Sequence, residues 1–501
     1  MGGRTDHVVV VGAGLAGLSA AMQLAGRGRS VTVVERGSHP GGRVGRADVS
    51  GYRLDTGPTV LTMPDVIDDA FSALGESTAD RLELLRTEPA YHASFADGSA
   101  LDVHSDADAM AAEIERFAGR GEADGYRRLR TWLTRLYEFE FDGFIAANFD
   151  SPLALLTPQL ARLAAIGGFR RWDRMVRRFI TDERLHRVFT FQALYAGVPP
   201  QRALAVYAVI AYMDTVAGVY FPRGGMRALP DAMAAAAVHA GVEFSYGTTV
   251  SALERNGDRV VAVRTDTGAR LTADAVVLTT ELPETYRLLD RTPRRLLPLR
   301  PAPSAVVAHV GCRAVDDGAK PMGHHTILFG SAWERTFRDI IDDGAVMSDP
   351  SLLVTRPSAS DATLAPAGRD LLYVLAPAPN TAVGKVDWAA EGDAYTDRML
   401  TAVADRMPGL DDFEILHVVN PADWAAQGML AGSPFALAHT FAQTGPFRPA
   451  NTVRGIDNVV LAGSSTVPGV GVPTAIISGR LAADRITGVP AARTSSRVVR
   501  S

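Results

Sequence analysis

Residues 7–43 read HVVVVGAGLAGLSAAMQLAGRGRSVTVVERGSHPGGR, and the fold is decided there. Four consecutive valines at 8–11, with no polar alternation, predict a strand buried on both faces, as in the middle of a parallel sheet. Gly12, Gly14 and Gly17 follow as GxGxxG. The first glycine permits a tight turn, the second lets backbone approach a pyrophosphate, and the third lets the next helix pack close to the strand. Phosphates are expected at the N-terminus of that helix, where free N–H groups and the helix dipole favour anions. Ala13 and Ala16, between the glycines, belong to the same candidate site. A second strand, SVTVVE, ends at Glu35, 18 residues after Gly17. A carboxylate there accepts hydrogen bonds from a ribose 2′-OH and repels a 2′-phosphate. Strand, glycine turn, helix, strand and acid in this order predict a dinucleotide-binding βαβ unit.

At 501 residues the chain has room for two or three domains, and 47% hydrophobic content with mixed charges describes a folded globular protein. Lys+Arg 51 against Asp+Glu 56 leaves a net charge of −5, which argues against a nucleic-acid partner. The single cysteine, Cys312, excludes an internal disulfide and any CxxC pair, and suits a reducing compartment. The apolar run near the N-terminus is already used by the first strand, so no secretory signal is expected. No second GxGxxG follows a strand downstream. A separate NAD(P)H domain is therefore not expected, and electrons are expected to leave by another route. No metal site is expected.

Residues 100–220 carry helical periodicity, whereas 241–280 alternate strands with Asn-Gly and Thr-Gly turns and read as a β-meander ending in a buried strand. NVVLAGSSTVPGVGVPTAIISGRLAADRI, 458–486, reads as a buried strand, a glycine-proline loop through Gly463, and a helix entered at Val472 and Pro473. Aimed at an electron-accepting ring, that helix would stabilise the ring's anion through its dipole. FRRWDRMVRRFITDERLHR, 169–187, holds seven arginines against three acids, with Trp172, Met175, Val176 and Phe179 at i, i+3, i+4 and i+7. The pattern predicts a basic amphipathic helix: either a solvated face over a core-packed stripe, or one that docks on an anionic membrane. ALAVYAVIAYM with TVAGVYF, 203–221, is too apolar for a surface helix. It reads as core or as the wall of an apolar tunnel, while Asp214 argues against a membrane span.

Gly41, Gly42 and Arg43, following Glu35 after a GxGxxG, resemble the FAD-binding signature of the flavin amine oxidase and carotenoid desaturase superfamily. DTGPTVLTMPDVI, 55–67, resembles its form in bacterial phytoene desaturases, and GVYFPRGGM, GHHTILFG, YVLAPAP and GSPFALAHTFAQTGPFRP extend the likeness over nearly the whole chain. The resemblance implies an α/β protein whose Rossmann-like FAD-binding domain, of glutathione-reductase type with βαβ unit and meander, is discontinuous over about 1–75, 223–285 and 445–490. It implies a mixed α+β substrate domain over about 76–100 and 286–444, and a helical, membrane-facing region over about 101–222. The last residues, 491–501, read as a disordered tail.

In that family, as the resemblance implies, Arg43 and the Gly57-Pro58-Thr59 turn line the pyrophosphate and flavin, and Arg36 lies beside the ribose acid. Backbone at Val250 lies against the adenine, and Gly463, Val472 and Pro473 close the flavin site. The closing segment departs from the family pattern: Val467 replaces a histidine, Thr474 a glycine, and Ser464 stands where many flavoproteins have a ribityl-binding aspartate. The implied activity is FAD-dependent desaturation of phytoene to lycopene in carotenoid biosynthesis, by loss of a hydride to flavin and a proton from the neighbouring carbon. A hydrophobic polyene calls for an apolar tunnel. Quinone or O2 is expected as electron acceptor, and the protein is expected in the cytoplasm, peripherally bound to the inner face of the cell membrane. Asp150 and His325, the latter beside His324, are the candidate catalytic residues. The alternatives are a carotenoid isomerase, a desaturase of C30 or hydroxylated carotenoids, a flavin amine oxidase, or a non-catalytic carrier. Against the amine oxidase stand only two lysines, Lys320 and Lys385, and no aromatic residue over 463–479.

Overall fold

In the computed structural model the four valines lie within the strand His7–Val11, here β1, and all four are buried. The structure describes residues 6–488 apart from 152, 154, 155, 294, 296, 316–321, 408 and 411. The tail expected over 491–501 lies outside the described residues. With β2 (Ser30–Val34), β3 (Glu243–Ser245), β4 (Ala275–Leu278) and β5 (Ile456–Leu461), β1 builds a parallel sheet in the order β5, β4, β1, β2, β3. The short antiparallel strand Thr452–Val453 closes its edge beside β5.

Both faces of this sheet are covered, which is why the valine run shows no alternation. Val8 and Val10 pack into the cluster that contains the helix Leu15–Gly26, here α1, while Val9 and Val11 pack with Val250, Val260 and Val263 of the meander. Each buried valine contributes roughly 1.5–3 kcal/mol. The meander, Val250–Asn256, Arg259–Thr265 and Arg270–Thr272, is antiparallel, and the chain leaves it directly into β4, as the turn signals predict.

α1 packs on the C-terminal helix Val472–Thr487, here α2, with the two backbones in contact. A Cβ on Gly479 would lie 2.2 Å from the Ala16 carbonyl oxygen, and Ser19 Oγ donates to the Ile476 carbonyl at 2.7 Å. Gly17 is equally constrained, because a Cβ there would lie 1.9 Å from the Gly12 carbonyl oxygen.

A second, seven-stranded sheet runs Glu414–Val419, Ser304–Arg313, Arg369–Ala378, Leu352–Thr355, His325–Phe329, Tyr91–Phe95, Ala100–Val103. Its one parallel pair, His325–Phe329 with Tyr91–Phe95, joins strands more than two hundred residues apart in the chain. Among the described residues the chain between Ala100–Val103 and Val219–Pro222 is helical, led by Ala107–Ala118 and Arg120–Glu140.

Two segments differ from their sequence expectations. The basic stretch is not one helix but two short ones, Trp172–Val176 and Glu183–Val188. Asp182 restarts the chain by accepting the Arg184 and Leu185 N–H groups, while Glu122 accepts those of Thr181 and Asp182. Its apolar stripe is core: Trp172, Met175 and Val176 are buried, and the Trp172 indole donates to the Phe189 carbonyl at 3.0 Å. Arg177 pairs with Asp173 and Glu183, and Arg184 with Asp182. The apolar stretch 203–221 is buried but is broken into a tight 3-10 turn (Ala205–Ala208), an α turn (Val209–Tyr212), a π turn (Met213–Ala217) and the strand Val219–Pro222.

Gly479→Ala is expected to cost about 2–3 kcal/mol of unfolding free energy, seen as a lower denaturant midpoint, because neither backbone can retreat. Gly121→Ala is the control: a Cβ there meets nothing within 4 Å, so stability is expected to hold or rise.

Candidate functional site

The two glycine turns meet backbone to backbone and form the floor of the candidate cofactor trough. Gly41 N donates to the Ala13 carbonyl at 2.8 Å, Gly14 and Gly41 form a parallel bridge, and a Cβ on Gly42 would lie 3.0 Å from Gly14 Cα. Gly12 (φ 105°) and Gly41 (φ 121°) take backbone conformations that side chains resist. α1 starts from Gly14 and α2 from Gly471, and neither N-terminus has a side-chain cap. Their leading N–H groups are therefore free for an anion.

Glu35 closes the foot of the trough. Its Oε2 accepts from Ala13 N and its Oε1 from Gly37 N, both at 2.7 Å, which fixes the carboxylate and leaves each oxygen a lone pair for a hydroxyl. Thr248 N donates to the Glu35 carbonyl and Gly247 N to that of Gly37, bringing the approach to Val250 against this end, while the Val250 side chain is buried with Val11 and Val34. Arg36 is exposed and reaches the Gln427 carbonyl at 3.2 Å.

The other walls come from distant segments. Arg43 pairs with Glu281 and donates to the Pro434 carbonyl at 3.0 Å. Gly57 leans on Arg43, since a Cβ there would lie 1.9 Å from its carbonyl oxygen, and Pro58 and Thr59 continue the same half-buried turn. The buried Asp55 fixes the start of this turn to PRGGM by accepting from Met226 N at 2.9 Å and Arg227 N at 3.3 Å. Burial pushes its carboxyl up to about 7 against the pull of those two donors. Gly463 (φ 116°) donates to Ser478 Oγ at 3.0 Å, and Val472 and Pro473, both buried, open α2. FAD fits these residues: backbone and uncapped helix ends face a pyrophosphate, and an oriented carboxylate faces a ribose.

An apolar cavity of about 50 Å³ lies where the second sheet meets the helical segment, lined by Phe191, Tyr195, Ile327, Phe329, Trp333 and Phe435 among others. Its aromatic walls are edge-packed, with ring centroids 5.9 Å apart for Phe191 and Tyr195 and 5.6 Å for Phe329 and Trp333. The sequence reading missed the ionisable groups buried nearby. Arg448 is wholly buried and donates to the carbonyls of Thr466 and Ser464 at 2.8 Å, Gln443 at 3.3 Å and Leu437 at 3.4 Å, while burial lowers its pKa to about 10. Asp214 is half-buried, and burial lifts its pKa to about 7 against a hydrogen bond from Gln192. Glu140 is buried with Oε1 unpartnered, and burial raises its pKa well above the carboxylate range. No spacing marks these residues in the sequence, because their partners lie on other segments.

Neither candidate catalytic residue is placed for chemistry. Asp150 is 79% exposed and pairs with Arg485. At 1.5 Å per residue, Arg485 is about 20 Å along α2 from Val472. His325 is buried within its strand, and burial lowers its pKa to about 3, and that of His324 to about 4, so both are neutral at pH 7. Among the described residues no cluster of His, Cys, Asp or Glu is arranged to hold a metal ion.

Comparison with known proteins places these features in context. The family of flavin containing amine oxidoreductases matches residues 15–487. The chain is 61% identical over 495 residues to a phytoene dehydrogenase of Streptomyces griseus, covering 98% of this chain and 97% of the relative. It is 37% identical over 492 residues to a zeta-carotene-forming phytoene desaturase of Myxococcus xanthus, covering 96% and 93%. Among solved structures, a putrescine oxidase variant superposes with TM-score 0.62 at 16% identity, covering 97% of this chain and 99% of that one. That likeness is one of fold.

Glu35→Gln is expected to weaken FAD binding about tenfold or more, measured by titrating the FAD-free protein, because each charge-assisted hydrogen bond contributes roughly 1.5–3 kcal/mol. The buried histidines set an acid limit. His309 and His324 fall to about 4 and His325 to about 3 in the folded chain, against about 6.5 when unfolded. The unfolded chain then binds more protons below about pH 6.5, so stability is complete above that pH and is lost toward pH 4. The loss is up to about 1.4 kcal/mol per pH unit for each histidine. His325→Gln is expected to make the melting temperature fall less steeply below pH 6.5; an unchanged slope would place the acid sensitivity elsewhere.

Proposed function

The chain belongs to the flavin containing amine oxidoreductase family and, within it, to the carotenoid desaturases, and on that premise we propose that it converts phytoene to lycopene. It is an FAD-dependent oxidoreductase acting on CH–CH bonds. Relatives are named for different products, zeta-carotene, neurosporene or lycopene. The observation that carries the choice of a polyene is the cavity, lined by aromatic and aliphatic side chains with two serines, Ser304 and Ser351, and no charged group. At about 50 Å³ it holds only part of a C40 chain. An amine oxidase fits less well, since Lys385 is exposed on the surface.

FAD, when bound, supplies the hydride acceptor. The protein's part is placement. The trough between Gly12, Ala13, Gly14, Ala16, Gly17 and Gly42 receives the pyrophosphate, Glu35 with Arg36 beside it the ribose, and backbone at Val250 the adenine. Arg43, the Gly57-Pro58-Thr59 turn, Gly463, Val472 and Pro473 enclose the flavin. The free N–H groups at the start of α2 stabilise negative charge in front of them. The cofactor domain comprises about 1–75, 223–285 and 445–490, a division supported by a parallel sheet whose strands come from all three segments. The substrate domain, about 76–100 and 286–444, carries the second sheet, and the helical region occupies about 101–222.

The protein acts at the inner face of the cell membrane, with quinone or O2 as electron acceptor. Among the described residues no helix is long and apolar enough to cross a membrane. With the stripe of the basic stretch buried, docking falls to its N-terminal edge, where Arg170, Arg171 and Arg174 surround Phe169, 42% exposed, and Phe441, 64% exposed.

Anaerobic incubation of the FAD-loaded protein with phytoene in liposomes, followed by added quinone and extraction, is expected to bleach the flavin and end at lycopene. Accumulation of zeta-carotene or neurosporene would replace the product, and an altered cis/trans ratio without bleaching would make the enzyme an isomerase. Phe169→Ser with Phe441→Ser is expected to reduce co-sedimentation with anionic vesicles several-fold at unchanged FAD content.

A further inference from the structure

Each new double bond requires a proton to leave the carbon next to the one that loses hydride, and a base must receive it. Asp150 is on the surface, and Glu140 is sealed in protein. Asp214 already has Gln192 as partner. His439 differs from all three.

The His439 backbone N–H donates to the Ala196 carbonyl at 2.8 Å, one residue beyond Tyr195 of the cavity wall, and Phe435 of the same wall lies four residues before it. Its ring lies against the loop that leads into α2. A Cβ on Gly469 would be 2.4 Å from His439 Cε1 and 2.9 Å from Nε2, so only glycine admits the imidazole there. His439 therefore stands between the apolar cavity and the flavin-closing loop. Tyr207 packs edge-on at 5.1 Å, and Arg448 lies behind the loop. Among the described residues neither ring nitrogen has a hydrogen-bond partner, and the side chain is half-buried, so the imidazole is open to accept a proton.

We propose that His439 is the proton acceptor of the desaturation, its imidazole taking the proton from the polyene carbon adjacent to the one that gives up hydride. The inference rests on the desaturase reading above. The hydride leaves with both electrons of its C–H bond to FAD, the oxidant in the proposed reaction, so the polyene is oxidised by two electrons and FAD is reduced. The neighbouring C–H bond breaks heterolytically, its electron pair becomes the new π bond, and its proton forms an N–H bond on the imidazole. The ring is reset when that proton passes to water. Burial, and the Arg448 charge, hold His439 well below the usual histidine range, so the ring is neutral and ready to accept. A weak base suffices, because a C–H beside an allylic cation is strongly acidic.

The test uses the FAD-loaded full chain with His439→Gly and His439→Gln. FAD content and phytoene binding, the latter followed by quenching of tryptophan fluorescence, are expected to match the parent. Single-turnover flavin bleaching is expected to slow about 100-fold or more in both variants. Added imidazole is expected to restore His439→Gly at least tenfold and to leave His439→Gln unchanged. Independently of turnover, carbethoxylation of His439 in the parent, mapped by mass spectrometry, is expected to be blocked by bound phytoene. Bleaching within threefold of the parent in both variants, or slow bleaching without imidazole rescue and with unprotected labelling, would overturn the proposal. A parent that binds phytoene without bleaching would overturn the desaturase reading, whereas an active parent beside active variants sinks this inference alone.

Discussion

The structure depends on backbone meeting backbone. Where α1 crosses α2, the Ala16 carbonyl occupies the space that a Gly479 side chain would need, and Gly17 likewise stands on the Gly12 carbonyl. These contacts bring the first and last parts of the chain together, so the free N–H groups of two helices serve one site. A methyl group at Gly479 would force the two helices apart, and one at Gly17 would clash with the turn from which α1 starts. Interiors packed like crystals cannot absorb such a shift locally.

The polar groups around the site obey a second constraint, the cost of burying charge. Arg448 meets it by donating to four carbonyls on two segments, and Asp55 by accepting two backbone N–H groups from a third. Both thereby act as clamps: Arg448 ties 437–443 to 464–466, and Asp55 ties the DTGP turn to PRGGM. Arg43 and Glu281 meet it by pairing across the trough. Among the described residues the half-buried imidazole of His439 has no such partner.

The cofactor half was legible because its requirements are local. Gly12 and Gly41 need positive φ, Glu35 must end a strand, and a buried parallel strand needs a valine run; each is written in a few adjacent residues. The basic stretch shows the opposite case. Its arginines and apolar stripe satisfy the helical pattern over 169–187, yet Asp182 caps a new helix and Glu122, sixty residues away, holds the break. The same stripe that fits a membrane also fits a core, and periodicity does not distinguish them. The apolar run at 203–221 is core for the same reason, with a π turn at Asp214 that no spacing announces.

The sequence by itself determined the βαβ unit with its glycine turn and the glutamate that ends its second strand, the meander that returns to it, and a closing helix entered through proline. Those features depend on residues within a turn or two of each other. Only the tertiary structure decided which ionisable groups face the interior and which face water. It moved Asp150 to the far end of α2, locked His325 inside a strand, buried Arg448, and set His439 between the cavity wall and Gly469. Burial and proximity there join segments that are hundreds of residues apart, and side-chain chemistry depends on both.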